Sequence, residues 1–167
     1  VMFRLIGLAD MISMHNYFGR PVFADSMAAS RVCDQFLAAS RQVIEEAMDL
    51  PLGVHSRAPR ELGGVPAMSR RPGIAFDEWN VWYRTGHDPL HDVEEIFNYT
   101  DALTVASILH SILRNADDVH LACISLAVNT LGSIFTDRER MVRQTIWYPQ
   151  KMIRDTHAGR VLRTVAD

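Results

Sequence analysis

The sequence predicts an α/β fold in which about three strand–helix units form part of a parallel (β/α)8 (TIM) barrel. Two observations support this prediction. Short strand-like segments alternate with amphipathic helices, a pattern typical of a parallel sheet wrapped by helices. Polar and aromatic side chains cluster where the strands end, as they do at the carboxyl rim of such barrels. About three-eighths of a barrel leaves its sheet edges unpaired.

The first unit begins with DMISMHNY, residues 10–17, which is predicted to be a short strand ending in polar and aromatic residues. A helix is predicted from about Ser26 to Met48, with Asp25 or Ser26 as its N-cap. Helical spacing predicts that its buried face holds Val32, Phe36, Val43 and Ala47.

The second unit begins with the strand Ile74 to Phe76. This run is continuously apolar, as expected for a parallel strand covered on both faces. The preceding residues 51–73 contain four prolines and four glycines, which predicts a long loop. After the strand, the segment RTGHDPLHD, residues 84–92, predicts a second loop.

The second unit continues with a helix that Asp101 is predicted to cap. Its apolar face would hold Leu103, Ala106, Leu109, Ile112 and Leu113 before the helix stops at RNADD, residues 114–118. The segment VHLACISLAV, residues 119–128, is the third predicted strand. Residues 143–152 lead into a last helical segment that we expect to be broken near Pro149.

Composition limits the classes of function. The 167 residues are 48% hydrophobic, enough for one domain with a core. Seventeen basic and twenty acidic residues give a net charge of −3, which argues against a nucleic-acid partner or an anionic membrane surface. No apolar run approaches the ~20 residues of a membrane span. No signal peptide is recognised, and we expect the chain to begin inside a domain.

Candidate binding residues follow the predicted strands. His15 and Tyr17 end the first strand, Glu78, Asn80 and Trp82 follow the second, and Gln144 comes near the last unit. Aromatic rings beside amides and a carboxylate suit a sugar, because its C–H faces stack on rings while its hydroxyls need polar partners. The substrate class predicted is a neutral carbohydrate.

Four segments, in order, resemble the α-L-arabinofuranosidases of glycoside hydrolase family 51: DMISMHNYFG, IAFDEWNVWYR, VEEIFNYTDALTVASILHSILRNADDV and RQTIWYPQ. The resemblance implies that residues 1–167 are the C-terminal portion of a catalytic barrel, its last three units, with the N-terminal strands and a C-terminal β-sandwich absent. It implies retaining removal of terminal arabinofuranosyl groups without a cofactor. It also implies a homo-oligomer at full length and favours a cytoplasmic location.

The resemblance also assigns roles to residues. Glu78 matches the catalytic nucleophile, and Tyr17 is similar to the tyrosine that orients it. The expected substrate-binding residues are His15, Trp82, Gln144 and Asn80. A Tyr17 hydroxyl that donates to Glu78 would keep the carboxylate ionised and directed. Asp77 is expected to face away from the site and pair with an arginine or a backbone amide, because adjacent strand residues point to opposite faces.

One departure from the family separates two hypotheses. The acid/base glutamate of these enzymes follows an asparagine, and this sequence contains no Asn-Glu pair. The first hypothesis is an arabinofuranosidase whose acid/base lies outside this chain, which alone would be inactive. The alternative is a non-catalytic, carbohydrate-binding remnant that keeps the wall of the pocket.

The remaining histidines and cysteines favour structural interpretations. His87 and His91 have metal-like spacing, but Gly86 and Pro89 favour a solvated loop, so we expect no metal site. His110 and His120 are expected to be structural. The two cysteines make no disulfide framework, and we expect both Cys33 and Cys123 to be buried small apolar residues.

Overall fold

The computed structural model describes residues 9–19, 22–49, 71–83, 94–156, 159 and 161. The predicted loop at 84–92 and residues 51–70 of the predicted loop at 51–73 lie outside these residues, whereas Gly73 already belongs to a strand. The described elements, in chain order, are β1 (Met11–Phe18), α1 (Phe23–Met27), α2 (Ala29–Met48), β2 (Gly73–Val81), α3 (Tyr99–Arg114), β3 (Val119–Ile124), β4 (Ile134–Thr136), β5 (Met141–Arg143) and α4 (Trp147–Thr156).

The main sheet has three strands in the order β1-β2-β3, and both pairs are parallel. Parallel neighbours need a crossover, and helices α2 and α3 lie in the two connections. The predicted parallel α/β arrangement is therefore confirmed. Strand β2 is longer than expected, because it continues through Glu78 to Val81 instead of stopping at Phe76.

Around Asp77, strand β2 has one more residue than the facing segment of either neighbour, whereas β3 has one more between the partners of Ile74 and Ala75. Against β1, the register passes from Ser13 opposite Ala75 to His15 opposite Glu78. Against β3, Phe76 pairs with Ala122 and Trp79 pairs with Ile124, so three residue steps in β2 face two steps in β3. The irregularity is a β-bulge at Asp77–Glu78, and bulges redirect side chains and are frequent beside active sites.

Helix α2 packs through a different face from the one predicted. Its buried residues are Ala29, Cys33, Leu37, Ser40, Ile44 and Ala47, so of the predicted face only Ala47 is buried. Val32 and Val43 are 47% and 36% exposed. The buried face is shifted by about one residue from the predicted face. The prediction missed it because small and polar residues such as Ser40 form part of this face. The predicted N-cap was also wrong, because Ala28 precedes α2 and Asp25 and Ser26 belong to α1.

Helix α3 begins with a capping box instead of the predicted Asp101 cap. The side chain of Asn98 accepts from the amides of Thr100 and Asp101, and Asp101 Oδ2 accepts from the amide of Asn98 at 2.7 Å. The fully buried positions on this helix include Thr104, Val105 and Ile108, whereas the predicted apolar face is half-buried.

The sequence interpretation missed a short antiparallel hairpin, β4–β5. Each strand has three residues, too few for a periodic signal, and Asp137 closes the turn by accepting from the amides of Glu139 and Arg140. Helix α4 is not broken at Pro149, because this residue lies in the first turn, where its missing N–H costs nothing.

The core lies between the sheet and helices α2 and α3. Phe76 and Trp79 of β2 stack with ring centroids 6.2 Å apart, against Leu37 and Ile44 of α2 and Ile108 of α3 in the same cluster. Among the described residues, β1 and β3 each pair with β2 alone and are the edges of this sheet. None of the described helices is long and apolar enough to cross a membrane.

Candidate active site

Three predicted site residues meet near the carboxyl ends of β1 and β2. His15 lies opposite Glu78 in the strand register, and Tyr17 lies opposite Asn80. Side chains two residues apart on a strand share a face, so His15 and Tyr17 both reach toward Glu78. The predicted clustering of these three side chains at one rim of the sheet is confirmed.

Both carboxylate oxygens of Glu78 have a partner. The Tyr17 hydroxyl donates to Oε1, and His15 Nδ1 lies 3.4 Å from Oε2. Burial of the Tyr17 ring, followed by the hydrogen bond to Glu78, raises the pKa of Tyr17 above its ordinary value of 10.0. Tyr17 is therefore a neutral donor at physiological pH. The side chain of Glu78 remains 39% exposed and can be reached by a ligand.

The prediction for Asp77 was wrong. Its Oδ1 accepts from Ser13 Oγ at 2.9 Å and lies 3.4 Å from His15 Nε2, and neither an arginine nor a backbone amide is its described partner. Asp77 and Glu78 therefore contact the same imidazole instead of pointing to opposite faces. The reason is the β-bulge, which interrupts the strict alternation of side chains.

Trp82 forms an aromatic wall beside Tyr17. Its ring meets the Tyr17 ring edge-on, with centroids 5.2 Å apart, and its amide donates to the Phe18 carbonyl at 2.6 Å. Gly19 makes this approach possible. It has φ +135°, and a Cβ there would lie 3.0 Å from Val81 Cγ1 and 3.3 Å from the Trp82 nitrogen.

Asn80 and Gln144 are buried and bonded to main chain. Asn80 Nδ2 donates to the Leu131 carbonyl at 2.5 Å, and its Oδ1 accepts from the Val81 amide. Gln144 Nε2 donates to the Gly132 carbonyl at 2.9 Å, and its Oε1 accepts from the Phe97 amide. These contacts indicate structural roles. Contact of either amide with a sugar stays a prediction that no described contact supports.

Two serines beside the site were missed. Ser13 lies two residues before His15 and four before Tyr17, so strand periodicity alone could have placed it on the same face. Ser125 directly follows β3, and its amide donates to the Trp79 carbonyl at 3.0 Å. The sequence carried no comparable signal for Ser125.

The other candidates separate clearly. The described part of the chain contains no cluster of three His, Cys, Asp or Glu side chains that could hold a metal, and His87 and His91 lie outside it. Cys33 is buried as predicted, and burial raises its pKa to about 11. The prediction for Cys123 was wrong, because it is exposed on the edge strand β3.

A parallel α/β sheet that presents a held carboxylate beside aromatic rings at its carboxyl rim is typical of glycoside hydrolases. A family model described as the α-L-arabinofuranosidase C-terminal domain matches residues 77–167, more than half of the chain. The chain belongs to the α-L-arabinofuranosidases of glycoside hydrolase family 51.

Similar proteins agree with this assignment. α-L-Arabinofuranosidase C of Emericella nidulans is 32% identical over 144 residues, which cover 86% of this chain and 26% of that protein. An intracellular exo-α-(1→5)-L-arabinofuranosidase of Halalkalibacterium halodurans is 32% identical over 154 residues, covering 84% and 27%. The α-L-arabinofuranosidase of Thermotoga maritima, solved with arabinose, superposes with a TM-score of 0.67 at 25% identity over 87% of this chain and 26% of its own. The chain thus spans about a quarter of the length of these relatives.

Proposed function

We propose that this chain contributes the nucleophile half of a retaining glycosidase site that removes terminal α-L-arabinofuranosyl groups. The observation that carries the proposal is the carboxylate of Glu78, whose two oxygens are held by Tyr17 and His15 while the group stays accessible. A retaining enzyme needs a carboxylate aimed at the anomeric carbon, and these two contacts restrain its direction.

In the proposed reaction, Glu78 attacks the anomeric carbon and forms a glycosyl ester as the bond from that carbon to the leaving oxygen breaks, and water later hydrolyses the ester. Tyr17 donates to the ionised carboxylate and limits its rotation. Trp82 lies beside Tyr17 and offers an apolar face for the C–H groups of the sugar. Asn80 holds Leu131 against β2, and Gln144 links the Gly132 carbonyl to the Phe97 amide, so both residues act indirectly.

The leaving oxygen needs a proton from a second carboxyl group about 5 to 5.5 Å from the first. Asp77 does not suit this role, because it is engaged by Ser13 and His15. The sequence holds no Asn-Glu pair that would match the acid/base of the family. We therefore propose that the acid/base lies outside these residues and that the chain alone is inactive.

A second part of the proposal concerns the domain to which this chain belongs. We propose that residues 1–167 form the C-terminal portion of a (β/α)8 barrel, to be completed by N-terminal strands and accompanied by a β-sandwich. Support comes from the two edges of the parallel sheet and from the quarter of the relatives' length that the chain spans. A homo-oligomer, an arabinose-containing polysaccharide or oligosaccharide substrate and a cytoplasmic location remain predictions of the family resemblance.

The missing acid/base favours one second candidate, a carbohydrate-binding remnant without catalysis. The sequence encoded before Val1 separates the two, because only the enzyme needs an apolar strand followed by Asn-Glu there.

Activity of the full-length protein, meaning this chain with any sequence that its gene encodes on either side, is the second test. We expect the full-length protein to hydrolyse 4-nitrophenyl α-L-arabinofuranoside and residues 1–167 alone to be inert. Binding of arabinose without any turnover by the full-length protein would support the remnant.

A further inference from the structure

The bulge in β2 brings together the side chains of Ser13, His15, Asp77 and Glu78. The proposed reaction gives no role to Ser13 or Asp77. Ser13 Oγ lies 2.9 Å from Asp77 Oδ1 and 3.2 Å from His15 Nε2, and Asp77 Oδ1 lies 3.4 Å from the same nitrogen. The other ring nitrogen, Nδ1, lies 3.4 Å from Glu78 Oε2. The imidazole of His15 thus bridges the two adjacent carboxylates.

The hydrogen-bond roles in this cluster follow from the chemistry of each group. A carboxylate accepts, so the Ser13 hydroxyl donates to Asp77 and its oxygen is left to accept from His15. Asp77 and Ser13 together therefore place a proton on Nε2.

We propose that Asp77, assisted by Ser13, is a positioning residue that holds the His15 imidazole against the nucleophile Glu78. This inference rests on the proposed function, because it assigns Glu78 as the nucleophile. Asp77 acts through His15 and does not touch the sugar. The bulge is what makes the arrangement possible, since regular alternation would separate Asp77 from the face that carries Glu78.

The first test is kinetic and uses the full-length protein. Asp77→Asn keeps the shape of the side chain and removes its charge. We expect kcat for 4-nitrophenyl α-L-arabinofuranoside to fall by roughly ten- to a hundredfold, the rate equivalent of one charge-assisted hydrogen bond, with KM changed less than about twofold. Ser13→Ala should cause a smaller loss in the same direction.

A double mutant separates positioning from a general structural effect. If Asp77 acts through His15, Asp77→Asn combined with His15→Asn should be no slower than His15→Asn alone. Asp118→Asn is the matched control, because Asp118 pairs with Arg41 and Arg71. It should lower the melting temperature and leave kcat within about twofold. Losses in kcat that multiply in the double mutant would overturn the proposal.

The second test needs no turnover. In protein labelled with ¹⁵N-histidine, the His15 signals, identified by their loss in His15→Asn, should show a proton on Nε2. Asp77→Asn should shift the Nε2 signal, and Asp118→Asn should not. An unchanged signal in Asp77→Asn overturns the positioning role even if the protein proves inactive. Absence of hydrolysis by the unmutated full-length protein instead contradicts the proposed function, and the two failures are thereby distinguishable.

Discussion

The Tyr17 hydroxyl donates a hydrogen bond to Glu78 Oε1 across the β1–β2 pair, joining residues that are 61 positions apart in sequence. The donor is itself restrained, because the Tyr17 ring packs edge-on against Trp82. The proposed nucleophile is therefore aimed by a side chain whose own position depends on the aromatic wall of the site. Four predictions follow from this site and its surroundings.

Removal of the Glu78 charge should abolish chemistry without abolishing binding. In the full-length protein, Glu78→Gln keeps the size of the side chain, and we expect turnover of an aryl arabinofuranoside to drop by several orders of magnitude. Glu78→Ala should regain turnover with azide, which attacks from the vacated face and leaves a glycosyl azide of inverted configuration. Asp77→Ala is the control and should show no rescue. Azide rescue of Asp77→Ala, with near-normal activity in Glu78→Ala, would mean that Asp77 is the nucleophile.

Tyr17→Phe removes one charge-assisted hydrogen bond, worth about 1.5 to 3 kcal/mol. We expect an activity between those of the unmutated protein and Glu78→Gln. The pKa of Tyr17 is raised in the folded protein, so the contribution of its neutral hydroxyl to stability is fully present below pH 10 and is lost as pH rises through the raised pKa. The difference in melting temperature between the unmutated protein and Tyr17→Phe should therefore persist from pH 7 to 10 and shrink above that. A constant difference up to pH 12 would contradict it.

Asn80→Ala should destabilise the protein more than it weakens substrate binding. The Leu131 carbonyl and the Val81 amide would lose their partners in a buried site, at a cost of about 1 to 3 kcal/mol. A lower melting temperature with an unchanged KM is expected. Gln35→Ala, on the exposed side of α2, is the matched control and should change neither. A large rise in KM at unchanged melting temperature would instead place Asn80 in contact with the sugar.

The two cysteines test the proposal that strands outside this chain complete a barrel. Within the described part of the chain, β1 and β3 are open edges of the parallel sheet, so we expect residues 1–167 alone to aggregate or to unfold without cooperativity. Iodoacetamide should label Cys123 in the isolated chain and much less in the full-length protein, where a neighbouring strand would cover β3. Peptide-level mass spectrometry measures both sites. Cys33, buried and with a pKa raised to about 11, should resist labelling in the folded full-length protein. Cooperative unfolding of a purified monomer of the isolated chain would contradict the expected aggregation or non-cooperative unfolding.

The helices show where pattern reasoning from the sequence failed. Both α2 and α3 were predicted, but each packs through a face that includes serine or threonine, such as Ser40, Thr104 and Ser111. Hydropathy alone rejects these residues from a core. These residues can be buried because their hydroxyls form hydrogen bonds. Ser40 Oγ donates to the Phe36 carbonyl, and Ser111 Oγ donates to Asp34.

The sequence by itself determined the parallel α/β class, the family and the rim that carries His15, Tyr17 and Glu78. These follow from local features, because apolar runs and strand-end motifs lie within a few neighbouring residues. Only the tertiary structure decided that Asp77 shares an imidazole with Glu78 and that Asn80 and Gln144 serve the main chain. The bulge in β2 is visible only against β1 and β3. A hydrogen bond such as the one between Asn80 and Leu131, 51 residues apart, is set by the folded chain and not by the local spacing of residues.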